Sequence, residues 1–136
     1  MSSRDLDGER RRRTLDELEG VKTPPPSFNS YLTGTCHRLR RKPIGEFTVE
    51  DLRIMIGQSF GLFFLIPLAL DVLESHPLAE GDFFPGDLLL SVLRSDPSYW
   101  QGHAEHRRRV DVLLEAIEDV PEELEPALAE WRRWTT

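Results

Sequence analysis

At 136 residues, with 39% hydrophobic and 30% charged side chains, the chain has the size and balance of one globular domain, which excludes a wholly disordered protein. Its single cysteine, Cys36, excludes an intramolecular disulfide and a multi-cysteine zinc site. The net charge of −7 is uneven: Met1 to Phe60 carries eleven basic against nine acidic residues, and Gly61 to Thr136 six against fifteen, so the second half repels nucleic acid and attracts basic proteins.

The N-terminus, "MSSRDLDGERRRR", has charges where a signal peptide needs a continuous apolar run, so nothing in it directs export and the expected location is the cytoplasm. Residues 1–13 read as a basic extension, either a flexible arm or a prolongation of the first helix, and residues 14–136 as a single helical domain. "TLDELEG" carries a capping-box pattern, Thr14 and Glu17 three apart with Gly20 as a stop, which predicts a short helix. "KTPPPS" is a stiff linker without helix. A helix from about Ser30 to Arg41 is expected to turn Tyr31, Leu32, Cys36 and Leu39 inward, with Pro43 closing it. Cys36 reads as a small core residue, since no histidine pattern for catalysis surrounds it.

"IGQSFGLFFLIPLALDVL", Ile56 to Leu73, is the most apolar stretch of the chain. Between Arg53 and Asp71 it offers seventeen uncharged residues, interrupted by glycines and Pro67, fewer than the roughly 20 predominantly apolar residues of a membrane-crossing helix. It reads as core. Thr48 is placed to cap a helix with Glu50 and Asp51 in its first turn, and Phe47 to staple onto Leu52. Val49, Leu52, Ile56, Ser59 and Phe60 continue at helical spacing, and Pro67 predicts a break or kink at Ile66. A second helix to about Ser75 would bury Leu68, Val72 and Leu73 and leave Asp71 and Glu74 to water or a partner. Gly57 and Gly61, four apart, read as a close helix packing surface.

In "LAEGDFFPGDLLLSVL", Pro85-Gly86 predicts a turn and Asp87 the cap of a short apolar helix. Asp96-Pro97 is a cap followed by the favoured first-turn proline. A helix from about His103 to Glu118 would bury Val110, Leu113, Leu114 and Ile117, and a last one, from near Pro121 or Pro126, Leu124, Leu128 and Trp131. No stretch alternates with period two, so the expected fold is all-α, a single-domain bundle of about five to seven helices.

The sequence holds no phosphate-cradling glycine loop, no nucleophile elbow and no assignable carboxylate-histidine pattern, so no enzymatic activity and no cofactor are expected. His103 and His106 form H-x-x-H, but further ligands are missing and "EHRRR" adds opposing charge, so no metal site is expected. Basic runs at Arg10 to Arg13, Arg38 to Lys42 and Arg107 to Arg109 sit among acids and read as solvated faces, not as nucleic-acid contacts. "AEGDFFPGD" sets Phe83 and Phe84 between Glu80, Asp82 and Asp87 in a turn-rich segment. It is either a helix connection with buried phenylalanines or an acidic recognition loop pinned by an aromatic anchor.

Taken together, "TLDELEG" and "TCHRLRRKPIGEFTVEDLRIMIGQSFGLFFLIPLALDVLESHPLAEGDFFPGDLLLSVL" resemble a family of immunity proteins of bacterial contact-dependent growth inhibition (CDI) systems. "EFTVEDLRIMIGQ" and "PLAEGDFFPGDLL" are its most specific segments. Met1 to Arg13 and the tail after about Val120 lie outside the resemblance, and "FGLFF" is more apolar than the family pattern. The resemblance implies a cytoplasmic protein that binds the C-terminal toxin domain delivered by neighbouring cells, a nuclease acting on RNA and specifically transfer RNA, and blocks it by occlusion. It contacts neither nucleic acid nor membrane itself. The acidic second half suits such a partner, and the expected contact comprises Glu74, Glu80 and Asp82, with Phe83, Phe84 and Asp87 nearby. Asp51, Arg53 and Gln58 serve equally well as structural residues, a capping acid and a buried polar pair. A helical adaptor or regulator of another basic protein would present the same surface.

Overall fold

The computed structural model describes residues 8–26 and 30–135 of the chain; Met1 to Asp7 of the basic extension and Ser27 of the proline linker lie outside the described residues. Residues 8–11 are helical. They are followed by α1 (Leu15–Glu19), α2 (Tyr31–Leu39), a 3-10 turn at Ile44–Glu46, α3 (Val49–Gly57) and α4 (Leu62–Ser75). Then come α5 (Asp87–Arg94), α6 (Pro97–Gln101), α7 (Ala104–Glu115), a 3-10 turn at Glu122–Leu124 and α8 (Glu125–Thr135). The fold is all-α, and among the described residues the nearest approach to a strand is one isolated antiparallel bridge between Glu80 and Pro85. The helices outnumber the expected five to seven because short capped turns, such as the one opened by Asp96 and Pro97, stand as helices of their own.

The helix starts follow local chemistry. Thr14 with Glu17, Ser30 with Thr33 and Thr48 with Asp51 each close a reciprocal capping box that satisfies two otherwise orphaned amides. Gly20, in the left-handed conformation at φ 69°, stops α1. At the N-terminus of α6 the Asp96 carboxylate accepts from the Ser98 amide.

The apolar stretch divides at a different point from the one its sequence suggests. α3 ends at Gly57, Ser59 and Gly61 both take positive φ (56° and 63°), and α4 then runs unbroken through Pro67 to Ser75. Two left-handed residues close together turn the chain before the proline is reached. Pro67 then only deprives the Phe63 carbonyl of one helical bond, a loss of about 3 kcal/mol in an ordinary helix interior that the burial of Leu65, Ile66, Leu68, Ala69 and Leu70 around it outweighs. Gly61 also lies against α1: a Cβ there would come within 2.8 Å of both Leu15 methyl carbons. Gly57 and Gly61 therefore do not share a helix face: Gly57 stands opposite Ser91 of α5 and Gly61 opposite Leu15 of α1.

α3 lies along α5, its most extensive partner, and also touches α2 and α4; α4 packs on α7, and α5 on α8. The core between them is continuous from Leu15 to Trp131. Trp100 and Trp131, both fully buried, meet edge to face with centroids 5.1 Å apart. Each indole N–H is satisfied, Trp100 donating to Ser95 Oγ and Trp131 to Asp111 Oδ1, both at 2.9 Å. Cys36 and Leu39 are buried as expected, but Tyr31 and Leu32, expected inside, are exposed because α2 presents only the arc containing Thr35, Cys36 and Leu39 to the core. Among the described residues no helix is long and apolar enough to cross a membrane.

Candidate functional site

The connection between α4 and α5 forms a ridge whose geometry is set by one carboxylate. Gly86, left-handed at φ 96°, occupies the N-cap position of α5, so Asp87 stands one residue further in and is not the cap. Its side chain is only 3% exposed and turns back under the loop. There it accepts from the amides of Gly81 (2.7 Å) and Phe83 (3.0 Å), with that of Phe84 at 3.5 Å. The positive end of α5 adds to the field holding this charge.

A second acid supports the same loop from α3. Glu50 accepts two hydrogen bonds from Arg53, both at 2.5 Å, and a third from the Asp82 amide at 3.0 Å. The Arg53 guanidinium, also 3.9 Å from Asp87, holds the Glu50 carboxyl below the usual glutamate range, against the opposing effect of burial. Gly81 lets both acids come close to the backbone: a Cβ there would lie 2.5 Å from a Glu50 carboxylate oxygen and 3.1 Å from one of Asp87, and the Glu50 carboxylate would have to shift. Above this platform Phe83 is exposed, its ring 4.4 Å from the Arg53 guanidinium carbon in a cation-π contact, while Phe84 is half-buried.

Two clefts flank the ridge. One, of about 770 Å³, is bounded by His76 to Glu80 on one side and Ala116 to Asp119 on the other, with Val49 at its floor. Glu80, Glu118 and Asp119 line it, all exposed, and none has an ion-pair partner among the described residues. The segment from Val110 to Trp131 that supplies two of them holds eight acidic residues and no basic one. The other cleft, of about 420 Å³, lies between α2, α3 and α5 on the Phe83 side.

The six residues singled out from sequence thus separate. Glu80, Asp82, Phe83 and Phe84 share the ridge, with Asp87 buried beneath it. Glu74 belongs elsewhere: on α4 it accepts from Arg109 of α7 at 2.6 and 3.0 Å, and the same guanidinium reaches Asp71, which Arg11 also contacts at 3.2 Å. Arg109 holds the Glu74 carboxyl below the usual range. Nothing in the sequence sets Glu118 and Asp119 apart from the other acids near them, because only the fold brings them to the same cleft as Glu80. Asp51 and Arg53 have structural duties, Asp51 in its capping box and a 2.7 Å pair with Lys42, whereas Gln58 is exposed at the end of α3.

His103 and His106 are stacked parallel, 5.5 Å apart, in a column with Tyr99. His106 Nδ1 pairs with the Tyr99 hydroxyl at 2.7 Å and His103 Nδ1 donates to the Tyr99 carbonyl at 2.6 Å. Burial pushes the Tyr99 hydroxyl pKa up and that of His106 down, so both are held neutral. Among the described residues no group of three or more His, Cys, Asp or Glu is placed to hold a metal ion.

Residues 17–110 match the family of CDI immunity proteins, and the match takes in the end of α1, the capped start of α3 and the whole ridge. The chain belongs to that family. Comparison with curated proteins and with solved structures returns no match. As a CDI immunity protein it binds a cognate CDI toxin, and the ridge lies within the matched part while Glu118 and Asp119 lie beyond it. Among the described residues, the acid-rich stretch from Val110 to Trp131, none of whose carboxylates has an ion-pair partner there, thus lies almost wholly beyond the matched region.

Proposed function

We propose that this immunity protein neutralises a nuclease toxin acting on RNA by seating its acidic cleft and the adjoining ridge on the basic surface with which the toxin holds phosphate. Residues 14–136 act as one binding body, in the cytoplasm, without chemistry of their own. The supporting observation is the set of three exposed carboxylates, Glu80, Glu118 and Asp119, that face one cleft with no ion-pair partner among the described residues. A nuclease must present positive charge to its substrate, so such a surface competes for the same place. Asp82 and Phe83 contribute from the ridge crest, and Phe84 and Asp87 act through the shape of the loop. Glu74 is a secondary contact in this scheme, because Arg109 already neutralises it.

The test uses the C-terminal toxin domain encoded beside this chain. The wild-type protein should form a stable complex with it and stop its cleavage of RNA at one-to-one stoichiometry. Glu80→Lys, Glu118→Lys and Asp119→Lys combined should slow association by about tenfold and flatten its salt dependence, since long-range attraction acts on the on-rate. A complex that leaves RNA cleavage intact, or association that ignores these reversals, overturns the proposal.

A further inference from the structure

The cleft on the other side of the ridge is built differently. Ile54 and Gly57 of α3 and Leu90 and Ser91 of α5 line it, and with no side chain on Gly57 the two helices meet there with only Ser91 between them. Three large hydrophobic side chains that the fold leaves in water stand around this one opening: Tyr31 at 77% exposure, Leu32 at 40% and Phe83 at 69%. Apolar groups scattered singly over a surface need no explanation, but their convergence on a concave site does. Its charge is also opposite to that of the acidic cleft. Arg53 is neutralised by Glu50 and Asp87, whereas Arg94 at the rim is exposed and has no ion-pair partner among the described residues.

We propose that this second cleft receives an aromatic or long aliphatic side chain of the same toxin domain, with a carboxylate beside it on the toxin that pairs with Arg94. The inference rests on the occlusion reading and adds an anchor to it. Glu80 borders the acidic cleft and Phe83 the apolar one, three residues apart on a single ridge, so a partner seated over Glu80 extends across Phe83. The free cation selects an acidic neighbour for the inserted side chain, since a second cation would be repelled. The two clefts then divide the work: exposed like charge on one side speeds encounter, and a desolvated apolar anchor on the other slows escape.

The experiment measures association and dissociation rates of the adjacent toxin domain with wild type, with Tyr31→Ser plus Leu32→Ser, and with Arg94→Glu. All three sites are exposed, so urea midpoints should match wild type, and Arg94→Glu provides a probe that removes no apolar contact. Each variant should raise the off-rate at least tenfold and leave the salt dependence of the serine variant's on-rate unchanged. If wild type binds and the off-rates of both variants stay within twofold, the anchor is overturned while occlusion stands. If wild type does not bind the toxin domain, occlusion fails and the anchor with it. Micromolar dimerisation of the free protein in sedimentation, abolished by the serine pair, would assign the cleft to a second copy of this chain and overturn the proposal.

Discussion

Replacing Asp87 by asparagine keeps the shape of the side chain and removes its charge, and one of its two acceptor oxygens becomes a donor. In the native loop that carboxylate receives the Gly81 and Phe83 amides at 2.7 and 3.0 Å, on separate oxygens, with the Phe84 amide at 3.5 Å contributing little. Hydrogen bonds to a charged group contribute about 1.5–3 kcal/mol each, so the two good ones set an upper figure of about 3–6 kcal/mol. An asparagine can satisfy only one of the two, and its NH2 group faces the other amide donor to donor. Arg53, 3.9 Å away, also loses part of its countercharge. Because Gly81 is only half-buried and Phe83 is exposed, the lower part of the range applies, about 3 kcal/mol. That is a large fraction of the ~5–15 kcal/mol stability of a typical domain, without abolishing folding. Urea denaturation measures the global loss, and native-state hydrogen exchange at Gly81 and Phe83 measures the local one. The expected fall in amide protection is about a hundredfold, and toxin association should weaken with it. If Asp87→Asn stays within about 0.5 kcal/mol of wild type and the two amides keep their protection, the carboxylate is not what holds the ridge.

Gly61→Ala combines a left-handed backbone at φ 63° with a Cβ 2.8 Å from the Leu15 methyl carbons, and should cost about 2–4 kcal/mol in urea unfolding. Pro67→Ala should stabilise by about 1 kcal/mol, because α4 is already continuous there and the Phe63 carbonyl regains its donor; a lower melting temperature would contradict this. The folded-state pKa of Glu50 is depressed by Arg53, so its contribution to stability is complete at neutral pH and is lost as pH falls below the ordinary glutamate value of 4.5 and through the depressed one. Glu50→Gln should therefore lower stability at neutral pH and flatten its decline on the acid side. His106 is held neutral, so its contribution is present above 6.5 and drains away as pH falls below it; His106→Gln should remove that part of the pH dependence, as read from urea midpoints at pH 5 and 8.

The helix starts were legible because their signals are short in sequence: a threonine and the acid three residues later fix the N-termini of α1 and α3, and Asp96-Pro97 fixes that of α6. Elsewhere the same rules competed. Pro67 is the stronger helix breaker by propensity, yet the turn fell at Ser59 to Gly61, where a glycine could pack against Leu15. Helical spacing identifies an apolar arc on α2 without saying which part of it meets the core, so it predicts Tyr31 and Leu32 inside, where the fold leaves them exposed. At the ridge the aromatic and acidic residues were readable as a loop, but the role of Asp87 was not, because taking Asp87 as the cap leaves no place for Gly86 at that position. Glu74 and Glu118 depended on partners that only the fold supplies. Arg109 lies 35 residues from Glu74, and Glu118 shares a cleft with Glu80 that two connections distant in sequence form together.

A Cβ on Gly86 would lie 3.1 Å from Leu124 Cδ1, so the residue that opens α5 rests directly on the 3-10 turn at Glu122–Leu124. That buttress lies beyond residue 110, where the family match ends. The recognisable portion of the chain is therefore not a self-sufficient piece of architecture: cut away the last 26 residues and the ridge loses the floor it stands on, along with the acidic wall opposite it.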